Sequence, residues 1–130
     1  MPKEFIRLKE KVLGKSYDLS LVFTTPKVSR RLNRIYRKRD YPPDVLSFPI
    51  SKTSGEIFID RVTARKEAQK FGMYEPKFIK FLFIHGLLHL KGMRHGAKME
   101  QAEKKLLYVS PNNNRHRHRH IGDKNSYRRR

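Results

Sequence analysis

Between Glu75 and Gly92 the chain reads EPKFIKFLFIHGLLHLKG, a helix-length run that is apolar on most sides. Phe78, Phe81, Leu82, Ile84, Leu87 and Leu88 leave it no broad polar face. A helix of that kind has to be buried, so the rest of a small chain must wrap around it. Glu75-Pro76 opens it with proline at an early position, where the lost donor matters little. Gly92 ends it.

The flanking sequence supplies the wrapping. KEFIRLKEKVL, residues 3–13, places Phe5, Leu8, Val12 and Leu13 at helical spacing, with Gly14 to stop the turn. DLSLVFT, residues 18–24, is rich in strand formers. Thr25 before Pro26 starts a helix carrying Val28, Leu32, Ile35 and Tyr36, which runs to about Arg39. Pro42 and Pro43 forbid its continuation. VLSFPI, ended by a proline, is expected as an edge strand, and SKTSG as a turn. EIFID should pair back on VLSFPI. RVTARKEAQKF, residues 61–71, and AKMEQAEKKLLY, residues 97–108, read as helices. Helices around few strands, with no internal repeat, predict a single α+β domain built on a small mixed sheet.

At 130 residues a single core is feasible. The chain has no Cys, which excludes disulfides and thiolate metal sites. No apolar run reaches membrane-spanning length, and the charged N-terminal segment lacks the apolar stretch of a signal peptide. A cytoplasmic protein is therefore expected. The net charge is +19. Residues 111–130 hold seven basic and one acidic residue, so residues 1–110 still carry +13. A field of that size favours a polyanion, and nucleic acid is the expected partner class. From Pro111 apolar periodicity ceases, and residues 111–130 are expected to be a basic, disordered tail. Its Arg-His alternation, residues 115–120, is expected to add phosphate contacts rather than a metal site.

The three other histidines fall in one window, HGLLHLKGMRH, residues 85–95. Four helical residues leave about 40° of net rotation, so His85 and His89 face the same way. Gly92 permits a sharp turn that can return His95 to the same point. Three neutral imidazoles suit one Zn²⁺ per chain and leave a fourth position open to water, as catalytic rather than structural sites do. The spacing His85, His89, Gly92, His95 is that of the metzincin proteases, so the segment is a metzincin-like zinc helix-turn. Those proteases place a glutamate after the first histidine as general base; here Gly86 stands there, and peptide hydrolysis by that route is disfavoured. A phosphodiester substrate accounts for the basic surface as well. Upstream, Arg37, Arg39, Asp40 and Asp44 cluster about the two prolines. A guanidinium there can grip phosphate in bidentate fashion.

Together these segments make the chain similar to the YbeY family of bacterial endoribonucleases. The family signature H-G-x-L-H-L-x-G-x-D-H reads HGLLHLKGMRH here, residues 85–95. The pattern N-x-x-Y-R-x-x-D-x-P-T-D-V-L-S-F-P reads NRIYRKRDYPPDVLSFP, residues 33–49. L-G-D-I-V-I resembles SGEIFI, residues 54–59, and the whole likeness spans roughly residues 28–107. The resemblance implies a zinc-dependent, single-strand-specific endoribonuclease of rRNA processing. It would act at the 3′ end of 16S rRNA on the small ribosomal subunit and in ribosome quality control. It implies that His85, His89 and His95 hold the metal, with His85 and Arg37 catalytic and Arg37 and Arg39 binding RNA. The general base stays open, with Glu56 and Asp44 as candidates. Three positions depart from the pattern: Arg94 for Asp, Glu56 for Asp, and Pro43 for Thr. An aspartate at 94 could orient a ligand histidine through a hydrogen bond, so its loss bears on metal tuning. The alternative is a non-enzymatic, zinc-containing rRNA-binding assembly factor, which binds RNA without cutting it.

Overall fold

A computed structural model describes residues 1–108. The tail expected over 111–130 lies outside the described residues. Five helices surround one three-stranded sheet in the order α1 (Lys3–Leu13), β1 (Asp18–Thr24), α2 (Pro26–Arg37), β2 (Val45–Ser51), β3 (Ser54–Asp60), α3 (Arg61–Lys70), α4 (Glu75–Lys91) and α5 (Ala97–Leu107). This is the single α+β domain with a small mixed sheet that the sequence predicts. β3 is the central strand: β1 lies parallel to it and β2 antiparallel, so β2 is an edge. Pro49 sits on that edge strand, where a missing donor breaks no ladder bond, and the register slips beside it.

The helix that opened the sequence argument is the core. In α4 Phe78, Phe81, Leu82, Phe83, Ile84 and Leu87 are at most 1% exposed. Burying each such side chain contributes about 1.5–3 kcal/mol. α1, α3 and α5 pack against this helix, and α4 itself lies on β2 and β3. α1 brings Phe5, Leu8 and Val12, and Phe5 stacks on Phe83 with centroids 4.3 Å apart. On β3 the side chains alternate: Ile57 and Ile59 are fully buried toward α4, whereas Phe58 meets Phe48 on the other face. α2 covers that other face.

Gly86 explains how closely α4 approaches the sheet. A Cβ there would meet Ile57 Cδ1 and Ser47 Oγ, each at 2.9 Å. Ser47 instead donates a hydrogen bond to the Gly86 carbonyl, 3.0 Å away. The sequence reads Gly86 as the absence of a base; the structure adds that any side chain at this point would push the helix off the sheet.

α2 ends two residues earlier than expected, with Lys38 in the left-handed region at φ 58°. The chain then turns into the 38–44 loop, which α2 holds at three points. Ser29 Oγ donates to the Pro43 carbonyl (2.7 Å) and buried Asn33 Nδ2 to the Tyr41 carbonyl (2.9 Å). Arg30 and Arg34 both pair with Asp40. The Arg30 hydrogen bond foremost, then Arg34, holds the Asp40 carboxyl below its ordinary range. These exposed ion pairs contribute little to stability by themselves, but they fix the direction of the loop. Among the described residues no helix is long and apolar enough to cross a membrane.

Candidate metal centre

The last turns of α4 and the turn after it build the site. His85 and His89 lie one helical turn apart on the same face. Gly92 caps α4 at φ 103° in the left-handed region, with its amide bonded to the His89 carbonyl. That reversal sends the chain back, and His95 returns to the other two rings. Their centroids lie 4.6 Å (His85–His89), 4.7 Å (His89–His95) and 5.2 Å (His85–His95) apart. One nitrogen from each ring lies within 4.8 Å of the others, close enough for one metal ion.

Hydrogen bonds decide which nitrogens face inward. Nδ1 of His89 donates to the Met93 carbonyl, 3.2 Å away, which can only accept. Nδ1 of His85 is 2.5 Å from Glu103 Oε2. With both Nδ1 atoms committed as donors, the two Nε2 atoms present bare lone pairs to one another at 3.1 Å. A proton on one of the two nitrogens, or a metal ion between them, makes that arrangement favourable. The separation fits a tetrahedral ion with bonds of about 2.0–2.1 Å, whose ligand atoms stand roughly 3.3 Å apart. Burial, reinforced by the charges His85 and His95 would carry, lowers the His89 pKa to about 4. The His89 ring is therefore neutral at pH 7, the form in which an imidazole can bind a metal.

Glu103 is the residue that sequence reasoning missed. It sits on α5 and is 5% exposed, as is His85. A buried carboxylate behind a ligand imidazole fixes the tautomer and raises the ring's basicity. The sequence reading looked for that role at position 94, where Arg94 stands. In the structure Arg94 is exposed, and the carboxylate comes from the next helix. A signal was present: Met99, Glu103, Leu106 and Leu107 form one buried face of α5, and only Glu103 on it is polar.

The histidines line one wall of a cleft of about 500 Å³. Arg37, Tyr41, Asp44, Ser47, Thr63 and Glu67 are among its other lining residues. The structure thus brings Arg37 and Asp44 to the same cavity as the three histidines. Arg39 is exposed in the loop and does not line the cleft. Glu56 does not line it either, because it lies on β3 opposite Phe48. Glu67, from α3, is a cleft carboxylate that the sequence reading did not single out.

The three imidazoles and Arg37 thus share one cleft, and the imidazoles form a donor set that a metal ion can use. The sequence model described as Endoribonuclease YbeY matches residues 3–109. The chain belongs to the YbeY family. It is 40% identical to an Endoribonuclease YbeY of Phytoplasma mali over 95 residues, 71% of this chain and 63% of that protein. It is 37% identical to the Endoribonuclease YbeY of Aquifex aeolicus over 93 residues, 67% of this chain and 62% of that one. The chain thus spans somewhat less than two thirds of the length of both relatives. A protein of Thermotoga maritima solved in solution superposes with a TM-score of 0.62 at 26% identity, covering 81% of this chain and 75% of the other.

Proposed function

We propose that this protein is a zinc-dependent endoribonuclease that cuts single-stranded RNA in rRNA processing. The observation that carries the reading is the trio of converging imidazoles on the wall of a cleft that Arg37 also lines. Membership of a family described as Endoribonuclease YbeY supports RNA as the substrate, and so does the charge of +13 on residues 1–110. Zinc is favoured over softer or harder ions by an all-imidazole donor set with lone pairs at tetrahedral spacing.

His85, His89 and His95 would hold the metal, and when bound it supplies Lewis acidity at neutral pH. Glu103 keeps the His85 proton on Nδ1 and so keeps Nε2 available as a ligand atom. Arg37 binds the phosphate to be cut and stabilises the charge that gathers on its oxygens. It makes no ion pair among the described residues, so its guanidinium is open to a phosphate. Arg39, outside the cleft, contacts RNA farther along the strand. Asp44 and Glu67 are the carboxylates among the cleft's lining residues, and one of them would serve as the general base. The phosphate, not a peptide carbonyl, is the natural target where Gly86 replaces the proteolytic glutamate.

We place the reaction in the cytoplasm on the small ribosomal subunit, at the 3′ end of 16S rRNA, with a further part in ribosome quality control. Residues 1–110 form the catalytic unit, and residues 111–130 add phosphate contacts to it. Zinc-loaded protein should cleave single-stranded RNA, stop on addition of chelator, and resume when zinc returns. Cleavage that persists in the double variant His85→Ala, His89→Ala would refute the reading. RNA binding with zinc present but no cleavage would favour an assembly factor instead.

A further inference from the structure

On the sheet face that α2 covers, a row of aromatic rings ends in one that stands out in solvent. Tyr36 is 64% exposed, near the end of α2. Its ring rests on Phe48, with centroids 5.1 Å apart and planes tilted by 56°. Phe48 in turn meets Phe58 edge-on at 5.8 Å. The outermost ring is thus held from behind by two others while its outer side faces water. Ile35, next to it, is 57% exposed.

We propose that Tyr36, backed by Phe48, is a stacking ledge for the unpaired bases of an RNA strand whose phosphates run past Arg37 into the cleft. The inference rests on the reading of that cleft as an RNA-cutting site and says how a single strand is recognised there. Position supports it. Tyr36 directly precedes Arg37, and Phe48 directly follows Ser47; both of those neighbours line the cleft. Because strand side chains alternate, Phe48 faces away from the cleft that Ser47 lines, and an RNA strand passes from ledge to cleft over the exposed β2 edge and the end of α2, where Arg37 stands.

Charge fixes the occupant as a polyanion. Arg34, Arg37, Lys38 and Arg39 surround Tyr36 in sequence, and among the described residues only Arg34 of these forms an ion pair, with Asp40. A carboxylate, Glu56, stands opposite Phe48 in the strand register, so the phosphate chain belongs on the α2 side of the ledge. A basic groove interleaved with aromatic rings suits single-stranded nucleic acid, because every base has a face to stack. A duplex keeps those faces covered and cannot use the ledge. A ring already held by Phe48 also loses little freedom when a base settles on it.

The test measures binding apart from cleavage. Fluorescence anisotropy with labelled oligouridine, oligoadenosine and a short RNA duplex is read on the full chain in chelator, where the metal chemistry is off. Tyr36→Leu should weaken single-strand binding at least tenfold, the equivalent of about 1.4 kcal/mol, and leave duplex binding unchanged. Tyr36→Phe should bind as tightly as the parent, since stacking needs the ring and not the hydroxyl. Equal binding by the leucine variant would overturn the proposal, as would an equal loss for duplex and single strand. A dimer that becomes monomeric in Tyr36→Leu would also overturn it, by assigning the rings to self-association. If the zinc-loaded protein never cuts RNA but the leucine variant still loses single-strand binding, the ledge stands and the nuclease reading falls.

Discussion

Glu103 offers the sharpest probe of the metal centre, because it touches a proposed ligand and never the substrate cleft wall. Its carboxylate is buried and lies 2.5 Å from His85 Nδ1. Glu103→Gln keeps a carbonyl oxygen able to accept that proton but removes the charge. Charge-assisted hydrogen bonds are about twice as strong as neutral ones, so roughly half of the interaction survives. Glu103→Ala removes all of it and leaves a buried N–H without a partner, which costs about 1–3 kcal/mol. Loss of such a partner lowers metal affinity by about 10–100-fold. Zinc affinity should therefore fall in the order Glu, Gln, Ala, by about tenfold at the first step and up to about 100-fold in all. Competition against a chromophoric chelator measures it directly. Thermal unfolding of the metal-free proteins separates weaker binding from damage to the fold, which Glu103→Gln should largely spare. If Glu103→Gln and Glu103→Ala both bind zinc as tightly as the parent, the carboxylate does not position His85 and the argument fails.

Arg37→Ala should lower kcat/KM for RNA by about 10²–10³, the size expected when one donor to a developing phosphate charge is lost. Zinc content should not change; an arginine variant that loses its zinc would place Arg37 in the metal site instead. Gly86→Ala adds a methyl group into 2.9 Å contacts with Ile57 and Ser47. Overpacking costs about 1–3 kcal/mol, only partly offset by about 1 kcal/mol of helix propensity, so the melting temperature should drop by a few degrees. An unchanged or raised melting point would mean that α4 can shift away from β2 at no cost. The depressed pKa of His89, about 4 against an ordinary value of 6.5, makes the metal-free protein acid-sensitive. Its unfolded chain takes up the proton first as pH falls below about 6.5, so stability is full above that value and declines toward pH 4. Urea midpoints at pH 7 and pH 4.5 should differ less in His89→Gln than in the parent; equal differences would remove His89 as the cause.

The histidine trio was legible because it depends on short-range geometry alone. One helical turn aligns His85 with His89, and a glycine that tolerates positive φ allows His95 to return. The β2–β3 hairpin was legible for the same reason, since its partners are separated by a two-residue turn. What the sequence withheld is long-range. β1 pairs with β3 across α2 and β2, and no local pattern encodes that parallel register. Glu103 reaches His85 only once α5 docks on α4, so its place on an apolar helical stripe was the sole trace of its role. Glu67 joins the cleft only through the packing of α3 against α4. Conversely Glu56, beside a strand motif, looked like a candidate base and lies on the far side of the hairpin register.

The three proposed ligands are not held alike, and that asymmetry has a consequence for how metal and fold depend on each other. His85 is locked by Glu103 and His89 by the Met93 carbonyl, both before any ion arrives. His95 is exposed and has no hydrogen bond among the described residues. Two of the rings are thus oriented by hydrogen bonds within the protein, whereas His95, although already beside them, would gain a fixed orientation only from an ion. Because His95 stands in the turn that joins α4 to α5, capture of His95 pins the start of the helix that carries Glu103. The metal would then reinforce the docking that aims His85, and the docking would strengthen the metal's hold. Each half of that loop would stabilise the other, which is why a substitution as distant in sequence as Glu103 should register at a site whose proposed ligands all lie between residues 85 and 95.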